Sequence, residues 1–116
     1  MGNLLLDENF MKSISFLDNI LLVDSVIDEI KKYNMTVDYL KVDNHYILKL
    51  NILDGQNELL NTECTLANKF NGSVVIKNII DMITNKYNKD LIVDVKELDD
   101  KNNCIKFGRR TYNRRK

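Results

Sequence analysis

At 116 residues, with 44% hydrophobic and 29% charged side chains, the chain has the composition of one globular domain, long enough to bury roughly two-thirds of its unfolded surface. No apolar run approaches the ~18 residues a membrane helix needs, the amino terminus lacks the basic start and apolar segment of a secretory signal, and Cys64 and Cys104 are too few for a disulfide framework, so a cytoplasmic chain with no membrane role is expected. The net charge of zero hides a division: residues 1–105 hold all 17 acids against 11 bases, whereas residues 106–116 hold six bases, including all four arginines, and no acid.

In chain order, residues 1–9 form a short lead with apolar Leu4, Leu5 and Leu6, then Asp7 and Glu8, which suit the first turn of a helix. From Phe10 the apolar steps are helical. Phe10, Ile14, Leu17 and Leu21 make one stripe, and Phe16, Ile20, Val23, Ile27 and Ile30 make a second beside it. Either one long helix has a broad apolar face, or two helices meet near Asp18-Asn19. Lys31 and Lys32 suit the C-terminal end of the dipole, and Asn34 suits a stop.

The period then drops to two. Residues 36–42 are rich in β-formers, Asp43-Asn44 reads as a tight turn, and Tyr46, Leu48, Leu50 and Ile52 alternate with more polar neighbours, which predicts a hairpin. After a turn at Asp54-Gly55, Leu60, Thr62, Cys64 and Leu66 fit the inward side of a third strand. Residues 58–69 also fit a helix, but a meander leaves fewer exposed edges than a lone hairpin, and the strand is preferred.

The best-marked segment is residues 73–88. Asn71-Gly72 reads as a turn and Ser73 as the N-cap, Ile76, Ile79, Ile80, Ile83 and Tyr87 share one helical face, and Asn88 supplies a left-handed exit. Leu91, Val93 and Val95 then alternate as a half-buried strand, residues 99–103 form a polar hairpin loop, and residues 104–107 return as a short strand that Gly108 ends. The order α-β-β-β-α-β-β predicts a two-layer α+β domain over residues 1–108, an antiparallel sheet packed against helices, followed by a flexible Arg-rich tail at residues 109–116.

Catalytic signals are weak. His45, the sole histidine, sits beside a turn with no nucleophile or orienting acid matched to it. With Cys64 and Cys104 it lacks a fourth zinc ligand and the usual close spacing. Asp94-Val95-Lys96 has the acid-x-lysine spacing of metal-dependent nucleases, yet alternation alone puts both charges on the solvated side of a strand. Four scattered glycines form no phosphate loop. No catalytic residue, cofactor or metal is expected. From Glu63-Cys64 through Phe70-Asn71-Gly72 to the hairpin with Cys104 and Phe107, the chain resembles the closing half of ligand-binding domains of the vinyl-reductase type, without a motif that assigns a site. The element order is also similar to that of small secretion-chaperone dimers, a likeness of architecture alone.

The basic end is the remaining functional signal. Lys106, Arg109, Arg110, Tyr112, Arg114, Arg115 and Lys116 could grip phosphates bidentately while the tyrosine ring stacks on an unpaired base. The first expectation is therefore a non-enzymatic binding protein that contacts nucleic acid through this tail. The second is a protein interaction module, an adaptor, chaperone or inhibitor, or a self-associating chain, that works through the first helix or a sheet edge. The apolar surplus between Phe10 and Ile30 motivates it.

Overall fold

The computed structural model describes residues 8–26 and 32–113. Leu4, Leu5, Leu6, Asp7, Ile27, Ile30, Lys31, Arg114, Arg115 and Lys116, to which the sequence assigns roles, lie outside them. The elements are α1 (Glu8–Val26), β1 (Lys32–Val42), β2 (His45–Asp54), β3 (Asn57–Leu66), α2 (Lys69–Asp81), a π-helical turn (Met82–Lys86), β4 (Asp90–Leu98) and β5 (Cys104–Tyr112). They form an α+β fold on one sheet of five strands in the order β3-β2-β1-β4-β5.

β1, β2 and β3 make the expected antiparallel meander, with β3 a strand throughout. The sheet is mixed rather than antiparallel, because β4 pairs with β1 in parallel. The cause is the helix between β3 and β4. A helical crossover returns the chain to the end of the sheet where the preceding strand began, so the next strand runs the same way. Alternating apolar residues do not encode that direction.

Alternation does decide the core. Tyr33, Met35, Val37 and Tyr39 of β1, Leu48, Leu50 and Ile52 of β2, Leu60, Cys64 and Leu66 of β3, and Leu91 and Val93 of β4 are buried with Val75, Ile76, Ile79 and Ile80 of α2. The side chains between them point to the opposite, more open side of the sheet. β1 starts at Lys32, so Asn34 lies inside a strand and does not stop a helix.

α2 begins earlier than the sequence predicts. Asn68, extended at φ −152 and ψ 167, is the N-cap, and its side chain accepts from the Asn71 amide at 3.1 Å. Asn71-Gly72 is thus within the helix, and Ser73 donates to the Lys69 carbonyl at 3.2 Å instead of capping. Gly72 serves close approach, not turning: a Cβ there would lie 2.6 Å from Tyr39 Cε1 and 2.9 Å from Leu66 Cδ1. The helix ends in the π turn, where the Tyr87 amide donates to the Met82 carbonyl at 3.0 Å. Asn88 then takes the expected left-handed exit at φ 57.

α1 is continuous through Asp18-Asn19. Its first stripe is in the core, with Phe10, Leu17 and Leu21 fully buried. Its second is not: Phe16 is 64% and Val23 67% exposed. Asp18 fastens this helix to the π turn. The Tyr87 hydroxyl donates to Asp18 Oδ1 at 2.5 Å, and Lys86 Nζ lies 3.0 Å from the same oxygen.

Candidate interaction site at the β5 edge

Gly108 does not end the last strand. β5 continues to Tyr112, pairing Gly108 with Val95, Arg109 with Asp94, Arg110 with Val93 and Tyr112 with Leu91. Residues 109–112 are therefore part of the sheet, and the sequence boundary at 108 is corrected. The β-formers Thr111 and Tyr112 beyond the glycine carried that signal. Glycine weakens a strand interior but does not terminate one that has a partner.

Strand alternation separates the expected basic cluster. Lys106, Gly108, Arg110 and Tyr112 share the side of Val93 and Val95, toward α2, whereas Arg109 shares the open side with Asp94. Arg109 is occupied there: its Nε lies 2.6 Å from Asp94 Oδ1 and its Nη2 3.0 Å from Oδ2. This two-point hydrogen bond holds the Asp94 carboxyl below the usual carboxylate range and raises the guanidinium. Both oxygens that the nuclease reading required are taken up by Arg109. Among the described residues, no three His, Cys, Asp or Glu side chains converge as metal ligands, Cys64 is buried and Cys104 is exposed.

Toward α2 the arrangement is different. Glu97 is shared by Lys69, 2.6 Å from Oε1, and Lys106, 3.9 Å from Oε2. Arg110 is exposed and has no acidic partner among the described residues. Between α2 and the paired β4 and β5 lies an open cleft of about 910 Å³, with Ile76, Ile80 and Val95 on its walls and Lys69, Lys77 and Arg110 among its polar groups. A recess of about 250 Å³ adjoins it, with Ile76, Ile80, Val93 and Val95 as its apolar walls and Gly108, Arg109, Arg110 and Tyr112 of β5 completing the lining. The space over Gly108 is open, since a Cβ there would meet no atom within 4 Å.

β5 is the last strand of the sheet, and every residue from Cys104 to Thr111 is exposed. Ile105 and Phe107 are 64% and 54% exposed. Such a strand carries a row of backbone donors and acceptors on its outer side at every second residue. Sequence reading missed the apolar walls of the cleft, because Ile76, Ile80 and Val95 resemble ordinary core positions. Ile76 and Ile80 are buried and Val95 is partly buried, and only the edges of these side chains line the cleft.

No helix among the described residues is long and apolar enough to cross a membrane. Compared with known protein families, with curated proteins and with solved structures, the chain finds no match.

Proposed function

We propose that the protein is a non-enzymatic protein interaction module, a two-layer α+β domain that takes an extended segment of a partner along β5. The observation that carries this reading is the exposure of β5 along its length, at the sheet edge and beside an open cleft. An added strand would satisfy the outward backbone groups and cover Phe107 on one side and the cleft on the other. The test is selection of peptides from a random display library on the full chain, followed by photo-crosslinking to locate the bound peptide. Crosslinks within residues 104–112 support the reading. Crosslinks around Phe16 and Val23 of α1, or no selectable peptide, contradict it.

A second reading, nucleic-acid contact, is favoured by the six bases and absent acids of residues 106–116. Arg110 and Lys106 would supply its charges from the strand, with Tyr112 beside them and Arg114, Arg115 and Lys116 beyond. Arg109 would contribute less, since Asp94 engages it. Labelled single-stranded RNA and duplex DNA, titrated across a salt series against the full chain and a chain ending at Asn113, test it. Binding that weakens steeply with salt and falls on truncation supports this alternative. A chain ending at residue 105 is unsuitable for this test, because it lacks most of β5 along with the charges.

A further inference from the structure

The cleft side of β5 has a pattern of its own: a cation at Lys106, an empty position at Gly108 and a second cation at Arg110. We infer that the partner segment carries the complementary pattern, acidic-x-apolar-x-acidic. Its acidic side chains lie against Lys106 and Arg110, and its apolar side chain enters the recess over Gly108. This rests on the reading of β5 as a docking strand and specifies what that strand selects.

Three observations converge on it. Residues two apart on an added strand share one side, so those opposite Lys106, Gly108 and Arg110 all point toward α2, within reach of the cross-strand side chains. The pattern is the same read in either direction, so it holds for parallel and antiparallel addition. The recess of about 250 Å³ has Ile76, Ile80, Val93 and Val95 as its apolar walls, is also lined by Arg110 and Tyr112 of β5, and has room over Gly108 for an aliphatic side chain. The charges are available: Arg110 has no acidic partner among the described residues, and Lys106, 76% exposed, shares Glu97 with the nearer Lys69.

The same charges disfavour a second copy as the occupant. Two β5 strands paired antiparallel about Gly108 would set Lys106 opposite Arg110 twice, and like charges directly opposite are destabilising. The other free edge, β3, ends the sheet on the far side, and joining it to β5 of another copy would build an open filament rather than a closed oligomer.

The experiment uses the full chain and three short labelled peptides, with centres Glu-Thr-Leu-Thr-Glu, Lys-Thr-Leu-Thr-Lys and Glu-Thr-Gly-Thr-Glu, followed by fluorescence anisotropy. The first should bind at least about tenfold more tightly than either of the others. The Cβ of Gly108→Leu meets no atom and the rest of its side chain occupies the recess, so the variant should unfold in urea at no lower a midpoint than the parent chain and should abolish binding of the first peptide. The Lys106→Glu, Arg110→Glu double variant should reverse the preference in favour of the lysine peptide. Equal binding of the acidic and lysine peptides, or unchanged binding to Gly108→Leu, overturns the inference. If library-selected peptides of another pattern crosslink to β5, the docking strand stands and the pattern falls. If no peptide binds but single-stranded RNA does, and loses affinity in the double variant, both fall in favour of nucleic acid.

Discussion

Arg109 and Asp94 face each other across β5 and β4 on the open side of the sheet, joined by two hydrogen bonds of 2.6 and 3.0 Å. One pair thereby withdraws an arginine from the basic end and a carboxylate from any metal-binding role. The withdrawn charges should have a signature in acid. Asp94 has a lowered pKa, mainly through the Arg109 hydrogen bond, so its contribution to stability is complete above the unfolded value of about 3.9 and is lost as pH falls through the lowered folded value. Asp94→Asn should therefore lower the thermal midpoint slightly at neutral pH, and the difference from the parent chain should close in strong acid. A difference that persists at about pH 2 contradicts this.

Gly72 is where α2 touches the sheet. Alanine there must displace the buried Tyr39 ring or the Leu66 side chain, because its Cβ would come within 3 Å of both. Overpacking of this kind costs about 1–3 kcal/mol, and the better helix propensity of alanine returns at most about 1 kcal/mol. Gly72→Ala should therefore reduce stability by about 1 kcal/mol in urea unfolding. A stabilised variant would mean that the ring moves freely.

Asp18, Lys86 and Tyr87 tie α1 to the end of α2. The Tyr87 hydroxyl is raised, first by its hydrogen bond to the Asp18 carboxylate, and Tyr39 is raised by burial. Tyrosine ionisation followed by ultraviolet absorbance should thus show Tyr87 and Tyr39 titrating above the ordinary value of about 10. Asp18→Asn should move one of them down and leave the other. The stability that this contact supplies through Tyr87 is present below the unfolded pKa and is lost as pH rises through the raised folded value. If Asp18→Asn leaves the titration unchanged, the node is not formed in solution.

Leu17 and its neighbour Phe16 provide a contrast within α1. Leu17 is fully buried and Phe16 is 64% exposed. Leu17→Ala should cost about 2–5 kcal/mol, whereas Phe16→Ser should change stability by less than about 0.5 kcal/mol. Urea unfolding of the two variants distinguishes them. A comparable loss in both would place Phe16 in an interface that forms under the conditions of measurement.

Legibility in the sequence followed what is local. Alternation at Leu48, Leu50 and Ile52 and at Leu91 and Val93 identified strands and their buried side, and the stripe from Ile76 to Tyr87 identified the second helix. What is relational was not readable. The parallel pairing of β4 with β1 depends on a crossover, the cap at Asn68 on a side chain outside the apolar stripe, and the role of Gly72 on Tyr39. Phe16 and Val23 have the spacing of core residues but point away from it. At the candidate site, Lys106, Arg109 and Arg110 were legible as cations, but their division between two sides of a strand was not, because that required β5 to continue past Gly108. The recess above Gly108 was invisible for the same reason.

The most direct test of the docking strand is residue-by-residue amide hydrogen exchange of the full chain, alone and with a peptide selected for binding. Strand addition along the free edge should slow exchange at alternate residues of β5 between Cys104 and Tyr112, those whose amides point away from β4, and leave the intervening, already paired amides unchanged. Protection without that alternation, or confined to α1, would contradict the account.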